Sequence, residues 1–85
     1  MLEMAELSTI VTAAPGGVMT DEVGVITGSV EIACACGDDN LGVARVRYED
    51  AGEWYTITDT SRPLTGPDEL ESYHRSVVDR FGTHA

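Results

Sequence analysis

The sequence predicts an α+β fold: an antiparallel sheet of four to five strands, assembled from β-hairpins, with one C-terminal amphipathic helix packed on one face. Three observations carry this expectation. Apolar residues alternate with polar ones between residues 30 and 58, Gly, Pro, Asp and Asn cut that region into short pieces, and apolar residues recur at helical spacing between 70 and 81. With 85 residues, of which 42% are hydrophobic and 24% charged, the whole chain 1–85 suits a single small domain. A chain of this size buries roughly 60% of the surface its unfolded form exposes, which leaves little material for an enclosed active site.

The first segment, 1–14, has two readings. Met4, Leu7, Val11 and Ala14 fit one helical face, whereas the β-branched cluster Thr9-Ile10-Val11-Thr12 favours a strand, and strand is preferred. Pro15-Gly16-Gly17 ends the segment in either case. The sheet core then spans 18–59. Val18 to Thr27 is rich in Val, Ile and Thr, and Gly28 interrupts it as a bulge or turn does. In the next run Val30, Ile32, Cys34 and Cys36 share one strand face and Glu31, Ala33 and Ala35 the other. Gly37 to Gly42 is a loop of residues that tolerate positive φ or bond their own backbone. Ala44, Val46 and Tyr48 next alternate with Arg45 and Arg47. After the turn Asp50-Ala51-Gly52, Tyr55 and Ile57 alternate with Trp54, Thr56 and Thr58.

The helix is expected over 67–81. Thr65 is positioned to cap it, Pro67 suits its first turn, and Asp68 stands three residues after Thr65 as in a capping box. Leu70, Tyr73, His74, Val77, Val78 and Phe81 form the apolar stripe. Gly82 closes the helix as the residue past its end, and Arg80 meets the negative end of its dipole.

A one-residue slip inverts a strand, so the apolar faces fix the parity of pairing. The expected register sets Cys36 opposite Ala44, Cys34 opposite Val46 and Ile32 opposite Tyr48. Across a two-residue loop, Ala51-Gly52, it then sets Tyr48 opposite Tyr55 and Val46 opposite Ile57. The helix covers the face carrying Val30, Ile32, Cys34, Cys36, Ala44, Val46, Tyr48, Tyr55 and Ile57. The other face stays open and gathers Ala33, Ala35, Arg45, Arg47, Trp54 and Thr56. Trp and Arg are over-represented at binding hot spots, so Arg45, Arg47, Trp54 and Thr56 are the expected binding surface. The plainer alternative packs Trp54 beneath the N-terminal segment and pairs Arg45 and Arg47 with Glu31 and Glu49 across strands.

Charge narrows the partners. Five Arg, no Lys and fifteen acids give a net charge of −10. Such a field opposes direct binding to nucleic-acid phosphates and favours basic protein surfaces, or, in a specialised form, a nucleic-acid mimic that occupies a basic groove. The Arg-only cation set is a bias expected of high-GC or salt-adapted bacteria and archaea. Acids stand among the first residues where a secretory signal carries positive charge, and no apolar run has membrane-spanning length, so a cytoplasmic protein with no membrane association is expected.

Few residues suggest chemistry. Cys34 and Cys36 on one strand face, with inward-facing His74, form a candidate zinc site whose fourth ligand would be Asp38, His84 or water. The competing reading makes both cysteines ordinary buried thiols. A disulfide between them is disfavoured, because alternate residues of a strand lie at about 6.5–7 Å, the outer limit for bridging. The Asp38-Asp39-Asn40 loop lacks the spaced oxygens of an EF-hand. Asp68, Glu69 and Glu71 suit a helix start. No phosphate loop, nucleophile elbow or Ser/His/Asp constellation is present. The expectation is therefore a small acidic interaction or regulatory protein, without catalytic activity or cofactor. Its open face or acidic exterior binds a partner protein, with homodimerisation or metal binding as the alternatives.

Overall fold

The computed structural model describes residues 5–37 and 39–83. Its elements are β1 (Ala5–Ala13), β2 (Val18–Thr20), β3 (Gly24–Ile26), β4 (Ser29–Cys36), β5 (Leu41–Tyr48), β6 (Tyr55–Thr56), β7 (Arg62–Pro63), a 3-10 turn (Pro67–Glu69), α1 (Leu70–Phe81) and β8 (Gly82–Thr83). The α+β class holds, with six strands in the main sheet where four to five were expected. The two extra ones, β7 and β8, are two residues long and carry little sequence signal. The main sheet runs β6-β5-β4-β1-β8, with β7 on a different stretch of β5, and every pairing is antiparallel.

β1 settles the ambiguity of the first segment in favour of strand. It pairs with β4 over eight residues, from Ala5 opposite Cys36 to Thr12 opposite Ser29. A strand satisfies the β-branched run Thr9-Ile10-Val11-Thr12, whose χ1 freedom a helix would restrict. Residues 18–27 form a separate hairpin. β2 and β3 pair only with each other as a sheet, and their turn is fixed by Thr20, whose hydroxyl donates to the Gly24 carbonyl (2.6 Å) and accepts from the Val23 N–H (3.2 Å).

The core lies between the even-numbered face of the sheet and two covers. Val30, Ile32, Cys34 and Cys36 of β4 and Ala44 and Val46 of β5 are buried, as their alternation requires. α1 covers them with Leu70, Tyr73, His74, Val77 and Val78. The β2–β3 hairpin supplies Val18, Thr20 and Ile26 and reaches β6, where Thr20 bridges Ile57. Tyr73 ties the helix to the loop beyond β6, its hydroxyl donating to the Thr60 carbonyl (2.9 Å).

The parity of both hairpins matches the sequence reading, but each register is offset by two residues. Ile32 faces Val46 and Val30 faces Tyr48, while Val46 faces Tyr55. A two-residue shift leaves every side chain on its face, so alternation alone does not oppose it. The loop from β5 to β6 is correspondingly longer than Ala51-Gly52, running over 49–54. Tyr48 therefore lies at the end of the sheet and is 40% exposed, and Tyr55 is half-buried, so neither belongs to the sealed core.

Both helix ends differ from expectation. The Thr65 hydroxyl does not cap a backbone N–H. Instead the Glu69 carboxylate accepts from the Thr65 N–H (2.6 Å) and hydroxyl (3.1 Å), doing the reaching-back expected of Asp68. Those bonds favour the ionised carboxylate and hold Glu69 below its ordinary range. Gly82 is not left-handed: at φ −109 and ψ 153 it is extended and begins β8. Glycine is needed there for room. A Cβ at Gly82 would stand 2.8 Å from Val11 Cγ2, 2.9 Å from Val11 Cβ and 3.0 Å from the Val78 carbonyl oxygen.

Gly82→Ala is accordingly expected to lower stability by about 1–3 kcal/mol through overpacking against β1. Urea unfolding measures this, and an unchanged midpoint would contradict the close approach of β8 to Val11.

Candidate functional site

Parity places odd-numbered residues of β4 and β5 on the face away from α1. Ala33 pairs with Arg45 and Glu31 with Arg47 across the β4–β5 ladder, and Arg45 pairs with Thr56 across β5–β6. Of the four residues expected to form a surface, Arg45 and Arg47 of β5 and Thr56 of β6 thus share one open face, with Trp54 at the end of the loop that leads into β6.

Arg47 is the most constrained of them. Its guanidinium forms an ion pair with the Glu31 carboxylate (2.7 Å), its Nε donates to the same oxygen (2.9 Å), and its Cζ lies 4.6 Å from the centroid of the Trp54 ring. Glu31, Arg47 and Trp54 are therefore one contact chain in which the cation neutralises the acid and its planar group covers the indole. Trp54 stays 37% exposed, so it is not packed beneath the N-terminal segment. Of the anticipated cross-strand pairs, Arg47 with Glu31 forms. Glu49 instead accepts from the Ser29 hydroxyl.

Beside this chain lies a concavity of about 330 Å³ lined by Glu6, Glu22, Ala33, Ala35, Val43, Arg45, Trp54 and Thr56. Small side chains make its floor, because Ala33 and Ala35 leave room that larger residues on a central strand would fill. Two acids the sequence reading did not assign to the site line it. Glu6 comes from β1 and Glu22 from the β2–β3 turn. The Glu22 carboxylate accepts from the Thr56 N–H (2.8 Å) and hydroxyl (3.0 Å), and these bonds, with a smaller contribution from the Arg45 charge, hold it below the ordinary carboxylate range. The face is thus of mixed charge, and not the cationic island that Arg45 and Arg47 alone suggest. Glu22 was hidden because its contact with Thr56 spans 34 residues and depends on how the hairpin closes over β6.

No family model, curated protein or solved structure matches this chain.

The second sequence-derived site does not assemble. Among the described residues no group of three or more His, Cys, Asp or Glu side chains is placed to hold a metal ion, so Cys34, Cys36 and His74 share the core without forming a ligand set. Asp38 and His84, named as further ligands, lie outside the described residues. Cys34 and Cys36 are buried free thiols. Burial pushes the Cys34 thiol up to about 12, which favours the neutral form over the thiolate that metals and electrophiles require. Cys36 makes only a weak contact, 3.7 Å from its sulfur to the Gly37 carbonyl.

His74 is held by β1. Its Nε2 is 2.7 Å from the Thr9 hydroxyl, while its buried Nδ1 has no hydrogen-bond partner among the described residues. Burial depresses its pKa, so the folded state binds the proton less readily than the unfolded chain. Stability from this group is complete above about pH 6.5, the unfolded value, and is lost as the pH falls from there through the depressed folded-state pKa. The thermal midpoint is expected to fall between about pH 7.5 and 5.5, and His74→Leu is expected to flatten that slope. Equal slopes in the two proteins would show that His74 is not the group responsible.

Proposed function

We propose that the chain is a non-catalytic, cytoplasmic interaction module that receives a partner protein on its open sheet face, with Trp54 as the anchor. The observation that carries this is the Glu31–Arg47–Trp54 chain beside the concavity. A large aromatic side chain stays one-third exposed, yet its orientation is fixed by a stacked and ion-paired guanidinium. A pre-oriented aromatic group loses little rotamer freedom when a partner covers it, which is the economy of binding hot spots. Arg45 supplies a fork for a partner carboxylate, and Glu6 and Glu22 supply acceptors for a partner cation, so the concavity selects a polar partner of mixed charge. The two unpaired thiols fit a reducing compartment, and the −10 charge speeds encounter with a basic protein.

The test is affinity capture of the partner followed by titration with variants. Trp54→Ala is expected to weaken binding by about 30-fold, as loss of roughly 2 kcal/mol at a hot spot requires, while shifting stability by less than about 0.5 kcal/mol. In the free protein Trp54 emission should resemble exposed indole and be quenched by acrylamide, then shift to the blue when the partner binds. Blue, unquenched emission before any partner is added would end this reading, as would a partner indifferent to Trp54→Ala.

A further inference from the structure

The opposite side of the sheet carries a different feature. In an antiparallel ladder, successive residues alternately direct both backbone groups toward one neighbour and then toward the other. The Ala13 N–H bonds to the Gly28 carbonyl (2.8 Å), so odd-numbered residues of β1 address β4. The Ala14 N–H bonds to the Phe81 carbonyl (2.8 Å), which sets even-numbered residues toward the other side, where β8 pairs with Thr12 and Ala13 only. Among the described residues, no strand therefore takes up the backbone groups of Glu6, Ser8 and Ile10. Each of these three is exposed, Ile10 to 56%.

Along this edge runs a groove of about 350 Å³ between β1 and α1, lined by Leu7, Ser8, Thr9, Glu71, His74, Arg75, Val78 and Asp79. Its base is apolar at Leu7 and Val78. Acids outnumber cations around it: Glu71 and Asp79 flank Arg75 on the helix.

We propose that the β1 edge is a β-augmentation site, at which an extended segment of a basic partner protein adds as a further strand, its alternate side chains entering the groove beside α1. The backbone groups of Glu6, Ser8 and Ile10, which no strand among the described residues takes up, dictate an extended occupant, since only a strand offers donors and acceptors at matching spacing. The groove dictates its side chains. An apolar residue lies over Leu7 and Val78, Lys or Arg two positions along answers Glu71 on the same face, and a basic residue between them meets Glu6 on the other face. A second copy of this chain is the poorer occupant, because it would bring another −10 charge and the same acidic rim against itself. This surface meets the Trp54 face only at Glu6, and Ser8→Pro and Trp54→Ala both leave Glu6 in place, so the two proposals are tested separately.

A display library of random linear peptides supplies the probe. Selection on the folded protein is expected to enrich sequences that alternate apolar and basic residues, and a synthetic peptide of that consensus should slow amide exchange at Glu6, Ser8 and Ile10. Ser8→Pro removes one edge-facing N–H, and proline is tolerated where a strand faces solvent. That variant should weaken the peptide more than about tenfold. Ser8→Ala, which keeps the N–H, and Trp54→Ala should bind as the wild type does. Circular dichroism of each variant establishes that it is folded. Should Ser8→Pro unfold the chain, the exchange footprint on the wild-type protein decides alone. The proposal is overturned if no peptide is enriched, if protection falls elsewhere, if Ser8→Pro stays folded and binds normally, or if light scattering shows a dimer that Ser8→Pro dissolves.

Discussion

Everything in this fold is referred to the alternation of β4. Its even-numbered side chains, Val30, Ile32, Cys34 and Cys36, are almost wholly buried, and among the described residues it is the only strand with long partners on both sides, β1 and β5. Turning β4 over by one residue would place Glu31 in the core and Ile32 in water, a loss of both apolar burial and carboxylate hydration. That penalty fixes which face α1 covers and so which face stays open. The exposed chemistry of Arg45, Arg47 and Trp54 is the complement of the β4 core face.

Parity was legible in the residues, and register was not. The alternation of β4, of β5 and of residues 54–58 placed Arg45, Arg47, Trp54 and Thr56 on one surface without any structure. The displacement of Tyr48 and Tyr55 by one pleat depended on the long turn after Tyr48, where the Ala51 N–H bonds back to the Tyr48 carbonyl (3.0 Å). A slip of two residues costs no face inversion, so the decision passes to turn geometry and to packing at the sheet's ends. The helix was readable over its whole length because its stripe repeats three times. Its ends were not, because the Glu69 contact with Thr65 and the approach of Gly82 to Val11 are made by a turn and a strand of only two or three residues.

The candidate site divides along the same line. The parts set within single hairpins, the Glu31–Arg47 pair across β4 and β5 and the Trp54 stack just before β6, follow from the face assignment. Glu6 and Glu22 join through contacts distant in sequence, and they change the character of the face from cationic to mixed. The proposed metal ligands fail for a related reason: sharing a core does not bring Cys34, Cys36 and His74 together, since His74 is claimed by Thr9 on β1.

The two thiols have a consequence for how the chain opens. Cys34 lies mid-strand between β1 and β5, opposite Leu7 and Ala44, whereas Cys36 lies at the strand's end, opposite Gly42 beside the hairpin tip. Fraying from the tip uncovers Cys36 first, while Cys34 is uncovered only when the central ladder parts. Two sulfurs on one face, two residues apart, are therefore clocks of different depth. A thiol reagent reads partial opening of the domain on one and its complete unfolding on the other.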